Sequence, residues 1–396
     1  MPFAAALSEH PLATHAAGEV IGQILDRIGT EPDLAVIFVT APHAGALEDI
    51  ATAVATVLRP RNLIGATAVS VLAGDREAEE TAAVSLWAGR LDGQITGVRL
   101  TTAQSDEGWV VEGLPNTDAG RAEADALRAR SLLLIADPFS FPVDAFLESL
   151  GASHPDLAVV GGLASAARGP GGNRLLIDGR VYNNGAVGVL LDAEIAPTSL
   201  VSQGCRPIGA PLIVTRAEHN VIFELAGRPA LDRLINLVES LGPEDRALAA
   251  RGLHCGLVID ERKETFARGD FLIRGVVGAD REKGAVAIGD VVDVGTTIQF
   301  HVRDAESADD DLHSLLGALD RPVDAALVFT CNGRGTHLFG APHHDAAAVS
   351  EHAAPGAAVA GMFCAGELGP VGGRNFLHGF TASIALFRDR PVGSAS

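Results

Sequence analysis

The chain has 396 residues, of which 47% are hydrophobic and 20% charged, and 50 acids against 30 bases give a formal net charge of −20. That apolar fraction can bury substantial cores and argues against a largely disordered chain. The charge excludes binding through phosphate neutralisation, so no nucleic-acid partner is expected, and it disfavours anionic membrane surfaces.

The first third alternates helix and strand. Val20, Ile21, Ile24, Leu25 and Ile28 at helical spacing predict a helix over 13–29. Leu34–Val39 is a continuous apolar run between Pro32 and Pro42, suited to a strand buried on both faces. A helix over Ala46–Leu58 and a strand over Asn62–Thr67 follow, and Ala82–Ala88 with Ile95–Leu100 read as a hairpin around Gly89 and Gly93.

The pattern then recurs. Leu132–Ala136 reads as a buried strand, Val143–Leu150 as a helix and Leu157–Val160 as a strand ending in Gly161-Gly162. A glycine-rich stretch over 169–173 leads to strands at 174–178 and 185–191. Residues 196–302 are mostly strand, interrupted by helices near 229–241 and 243–251. A helix begins about Ser307. Beyond it come a strand at Ala325–Phe329, the turn Cys331-Asn332-Gly333-Arg334-Gly335 and a helix at His344–His352. A strand at Ala357–Phe363 then enters Ala365-Gly366-Glu367, and Thr381–Phe387 is the last strand.

The order strand, helix, strand, glycine-rich loop, strand thus occurs at 34–90, 131–191 and 325–387, which predicts three degenerate repeats. The fold class is mixed α/β (α+β): two tightly packed modules of mixed sheets, with helices on the outside. No run of eighteen apolar residues predicts a membrane span, and the start has no basic n-region of a signal peptide. Cys205, Cys255, Cys331 and Cys364 form no C-x-x-C pair, so neither a disulfide framework nor a zinc module is expected. A cytoplasmic protein is the resulting expectation.

Candidate chemistry collects at strand ends, where α/β sheets form ligand crevices. In Cys331-Asn332-Gly333-Arg334-Gly335 the two glycines permit close backbone approach, and Arg334 offers a fork for a carboxylate or phosphate. The competing reading is a tight turn with a solvated or structurally paired arginine. Glu367 follows Gly366 in an apolar, glycine-rich setting, where it either pairs with Arg334 or receives a ligand ammonium. His378 with Cys331 or Cys364 could supply a base and nucleophile, although a free cysteine is more often a small buried hydrophobe. His337, His343, His344 and Asp345 resemble metal ligands by count, but Pro342-His343-His344-Asp345 reads better as a helix entrance, and no metal is expected. No G-x-x-x-x-G-K-[ST] phosphate loop occurs, and no cofactor is expected.

Taken in order, the motifs resemble the FIST domain family. They are Ile64-Gly65-Ala66-Thr67, Ala136-Asp137-Pro138-Phe139-Ser140-Phe141, Val160-Gly161-Gly162-Leu163-Ala164-Ser165 and Asn184-Gly185-Ala186-Val187-Gly188-Val189 in the N-terminal part. In the C-terminal part they are Ser202-Gln203-Gly204-Cys205-Arg206-Pro207, Gly269-Asp270-Phe271, Phe300-His301-Val302-Arg303-Asp304, Cys331–Gly335 and Ala365–Pro370. The resemblance divides the chain into an N-terminal module at 13–195 and a C-terminal module at 196–390. It implies a sensory protein of signal transduction that binds a small ligand such as an amino acid, and establishes no catalytic mechanism. The ends outside it are too short for an attached effector, so output is expected through a separate signalling partner. The ligand-binding set is then Arg334, Glu367, Asn332, Gly333, Gly335, Cys331, Gly366 and His378. The alternatives are a Cys/His-dependent hydrolase or transferase and a protein-interaction scaffold.

Overall fold

Continuous apolar runs of seven or eight residues make strands that need cover on both faces. In the computed structural model, which describes residues 2–105, 108–115 and 129–389, three such runs anchor three sheets. Leu34–Thr40, Ala129–Ala136 and Ala325–Cys331 each lie parallel to a second strand, respectively Asn62–Ala68, Ala158–Leu163 and Ala358–Cys364. The joining helices are Leu47–Val57, Val143–Ser153 and His344–His352, the first preceded by a 3-10 turn at Ala41–Ala46. A returning strand runs antiparallel along the other side of each first strand: Val84–Gly89, Ala186–Asp192 and Thr381–Phe387. The three repeats expected from the sequence are present.

Their register is shared. Gly65 faces Ile37, Gly161 faces Leu134 and Gly361 faces Val328. A Cβ on any of these glycines would lie 1.9–2.2 Å from the facing carbonyl oxygen, so only glycine lets the two backbones approach this closely.

After each second strand comes a hairpin that crosses to another repeat's sheet. Val71–Ala73 and Arg76–Ala78 from the first repeat extend the third sheet beside Ala358–Cys364. Glu367–Val371 and Arg374–His378 from the third extend the second sheet beside Ala158–Leu163. Leu175–Ile177 and Arg180–Tyr182 from the second extend the first sheet beside Asn62–Ala68. The exchange is cyclic, and the residue opposite the shared glycine is a leucine each time: Leu72, Leu368 and Leu176.

Edge strands Phe3–Ser8, Ile95–Ser105 and Thr198–Gln203 complete the pattern, the second carrying Gly108–Glu112 outside it. Val84–Gly89 and Ile95–Ser105 therefore lie in different sheets, which corrects the hairpin expected there. The inner faces share one core containing Phe38, Trp87, Ile135, Val189, Leu327 and Phe329, and the Trp87 indole donates to the Ala358 carbonyl at 3.0 Å. Helices cover outer faces: Val20, Ile24, Ile50 and Val54 pack on Ile37 and Leu86, and Phe146 and Leu150 pack on Leu132 and Leu134.

Apart from Ser202, Gln203 and His378 at two strand ends, these elements fall in one compact unit, which takes residues up to Val201, His313–Leu377 and the chain from Thr381 on. The second unit is Ser202–Leu312 with His378–Phe380. Here Cys205–Glu218, Thr297–Arg303, Leu253–Val258, Phe271–Asp280, Ala285–Ile288 and Val221–Leu225 pair in that order. The last pairs back onto the first, closing an antiparallel ring. Helices Ala230–Ser240 and Pro243–Arg251 contribute Leu231, Leu234 and Ala249 to its core with Phe300 and Val302. Among the described residues no helix is long and apolar enough to cross a membrane.

Candidate functional site

The third repeat's first strand ends at Cys331, and the chain turns at once. The Asn332 N–H donates to the Cys364 carbonyl at 2.9 Å and the Arg334 N–H to the Cys331 carbonyl at 2.8 Å, so neither backbone donor is open to a ligand. Gly335 follows at φ 56°, and a Cβ there would meet the Glu79 carboxylate and the Phe363 ring at 2.9 Å. Past this bend a single helical turn, Thr336–Phe339, starts with the Thr336 N–H and hydroxyl both donating to Glu79.

Arg334 turns inward and is fully buried, as is Asp345 in the first turn of the helix His344–His352. Arg334 Nε and Nη2 donate to Asp345 Oδ2 and Oδ1 at 2.7 and 2.8 Å. The Thr330 hydroxyl and His344 Nδ1 also contact that carboxylate, at 2.5 and 2.9 Å. Burial alone would push Asp345 up, but the Arg334 charge and these bonds outweigh it and hold the carboxyl well below the usual carboxylate range. The arginine is thus structurally paired, and its fork is spent on Asp345 instead of facing a ligand. One nitrogen, Nη1, is left over, buried and without a hydrogen-bond partner. The guanidinium lies 5.2 Å from the Phe339 ring centroid, and Phe339 stacks on His344.

Glu367 opens the exchanged hairpin, opposite Gly162 of the second sheet, and is fully buried. The equivalent hairpin positions in the other repeats are Val71 and Leu175, both in the central core. One repeat in three carries a carboxyl where the fold otherwise places an aliphatic side chain. Oε2 accepts from the Thr381 N–H at 3.1 Å and the Thr381 hydroxyl at 2.9 Å, while Oε1 is buried with no partner. Burial pushes its pKa up to about 8, against the pull of the Thr381 bonds, the Cys331 thiol that donates to it, and the Arg334 charge. A third buried atom without a partner is the side-chain oxygen of Asn332.

The fold therefore brings Cys331, Asn332, Gly333, Arg334, Gly335, Gly366 and Glu367 to one end of the third repeat. Gly366 joins through its carbonyl, which accepts the Leu163 N–H at 2.8 Å. His378 is buried at the end of the strand Arg374–His378 and is grouped with the second unit. Cys364 is fully buried, and burial, followed by the nearby Glu367 and Cys331, holds its thiol far above the ordinary cysteine range, which removes it as a nucleophile at neutral pH. The histidines counted as metal ligands go to separate tasks. His337 meets Glu80, His343 accepts the Glu77 N–H and His344 supports Asp345.

Sequence reasoning missed three supporting groups: Asp345 as the arginine's partner, Thr381 beneath Glu367, and Glu77. Glu77 is buried, and its carboxylate accepts the His343 and Ala346 N–H groups at 2.9 and 3.1 Å, capping the helix that carries Asp345. Burial and then the Asp345 charge raise it to about 7, against the helix N–H bonds. The acidic run Glu77-Ala78-Glu79-Glu80 was the available signal. Its destination depends on the hairpin exchange, which local sequence does not encode.

Comparison with known proteins follows the same extent. Residues 33–228 match the FIST N domain and residues 230–370 the FIST C domain. The chain is 42% identical over 384 residues to the uncharacterized protein Mb0898c of Mycobacterium bovis, covering 96% of this chain and 97% of that one. It is 41% identical over 394 residues to the uncharacterized protein Rv0628c of Mycobacterium tuberculosis, covering 98% of this chain and 100% of that one.

Proposed function

The chain belongs to the FIST family, whose domains are associated with sensory signal transduction, and from that premise we propose that it senses a small polar metabolite at the buried polar groups of its third repeat. The ligand class is an amino acid or a similar zwitterion. Arg334 Nη1 donates to a ligand oxygen, Glu367 Oε1 takes the ammonium, and Asn332 Oδ1 orients it. The observation carrying this reading is that these three buried polar atoms, all on or beside one glycine-rich turn, have no partner within the protein. Buried polar groups are otherwise almost always satisfied, because each unmade bond costs about 1–3 kcal/mol. At the strand end the neighbouring repeats are satisfied. Asp137, at the position of Cys331, accepts from Ser140 and Asn173 at 2.6 and 3.0 Å, and Thr40 accepts the Ala83 N–H at 2.7 Å. We further propose that the output passes to a signalling partner in the cytoplasm.

A thermal-shift screen against amino acids and related metabolites tests the reading, since a ligand that binds only the folded state raises the melting temperature. Asn332→Ala and Arg334→Lys should each weaken a hit at least tenfold, about 1.4 kcal/mol. A hit whose affinity is the same in both folded variants lies elsewhere on the protein.

A further inference from the structure

We infer that the ligand is recognised chiefly through a cationic amine, which binds by displacing a proton from Glu367, and that a ligand carboxylate is dispensable. This deepens the proposed sensing role and rests on it. Arg334 is already neutralised by Asp345 through two hydrogen bonds, so the positive charge near the turn is spent. Of the three partnerless atoms, two are oxygens, Glu367 Oε1 and Asn332 Oδ1, and one is a nitrogen, Arg334 Nη1. A set weighted toward acceptors suits a ligand rich in N–H donors, and an ammonium carries three.

Glu367 has no cation of its own to balance it. The groups facing it are the Cys331 thiol, the Arg334 guanidinium and the Cys364 thiol, with the neutral Thr381 donors beneath and Gly162 opposite bringing no side chain. A fully buried carboxylate in such surroundings keeps its proton, and the upward shift of Glu367 agrees. When an ammonium enters, the carboxyl O–H bond breaks, its proton leaves to the buffer, and the carboxylate pairs with the cation through hydrogen bonds alone. No covalent bond to the ligand forms. Among the three repeats only the third has this arrangement, because Val71 and Leu175 occupy the equivalent positions, so this site takes one ligand.

Calorimetric titration of the full chain tests this with three probe sets: the common L-amino acids, their carboxamides, and the matching carboxylic acids that lack the amine. Each is run at pH 7 in phosphate and in Tris, whose ionisation heats differ. The expected result is binding of at least one amino acid and its carboxamide within tenfold of each other, at one per chain. The acid without the amine binds at least tenfold more weakly. The heats in the two buffers differ by an amount on the order of one proton per ligand. Glu367→Gln should lower the affinity at least tenfold and abolish the buffer difference, and the wild-type comparison stands even if that variant folds poorly. Equal heats in both buffers, or an amine-free acid binding as tightly as its amino acid, overturns the proton exchange while leaving a ligand site in place. Absence of binding by every probe overturns the sensing role itself.

Discussion

The Glu77 carboxylate accepts the Ala346 backbone N–H at 3.1 Å, although 269 residues separate them along the chain. Glu77 sits on the first repeat's hairpin, and Ala346 follows Asp345, the partner of Arg334, in the first turn of the helix His344–His352. A segment from the beginning of the sequence thus fixes the helix that fixes the arginine. Glu77→Ala leaves the His343 and Ala346 N–H groups unpaired at a helix start. It should cost about 1–3 kcal/mol, read as a lower urea midpoint with an unchanged slope. An unchanged midpoint would show that water replaces the cap at no cost.

The Arg334–Asp345 pair is buried on both sides, so removing one partner strands the other's charge. Asp345→Ala should cost about 3–5 kcal/mol, and the double change Arg334→Met with Asp345→Leu should cost less than that single one. Urea unfolding of the three proteins decides it. A double variant weaker than the single one would mean that the pair's geometry, beyond its charge balance, supports the turn.

The two raised carboxyls set a pH slope. Glu77 and Glu367 titrate near 7 and 8 when folded, against an ordinary carboxylate value near 4.5. The folded state therefore holds protons that the unfolded state has released. Their contribution is fully present below about 4.5 and is lost as pH rises through about 7 and 8. In the second unit burial lowers His254 and His301 to about 4, so their contribution runs the opposite way, being lost as pH falls from about 6.5 toward 4. Between pH 6.5 and 8 the carboxyls act alone among these groups. Stability should fall across that window in the wild type and fall less in Glu367→Gln, measured by urea midpoints at half-unit steps.

The shared glycines make a direct comparison possible. Gly361→Ala would put a Cβ 2.0 Å from the Val328 carbonyl oxygen, whereas at Gly18, in the exposed face of the first helix, nothing lies within 4 Å. Gly361→Ala should abolish or strongly reduce soluble folded protein, as should Gly65→Ala and Gly161→Ala. Gly18→Ala should stabilise by about 0.5–1 kcal/mol. Circular dichroism melts of the purified proteins separate the two classes.

Much of this architecture is legible in the sequence because it follows from local rules. A seven-residue apolar run such as Leu34–Thr40 needs two covered faces, and a glycine at Gly65, Gly161 or Gly361 records a close backbone approach. Glu367 stands out because a charge among glycines and aliphatics has no ordinary reason to be there. What stays hidden is partnership. Nothing near Arg334 indicates that its fork will be taken by Asp345 across an intervening turn, or that Thr381 will lie beneath Glu367. The hairpin exchange is hidden for the same reason, since Leu72, Leu176 and Leu368 look like strand residues that could pair with their own repeat.

That cyclic exchange has a kinetic side. Each sheet is finished by a strand that another repeat supplies, and the hairpin completing the second sheet is made only after Glu367 has been reached. No fragment that ends before this point can close all three sheets, so the pairings that matter most are the most distant in sequence. Such high contact order slows folding, because the entropy of closing long loops comes before the contacts that offset it. The same linkage makes escape slow. To free any one sheet the chain must also open a second, so the three repeats lock one another and the first unit unfolds as a whole.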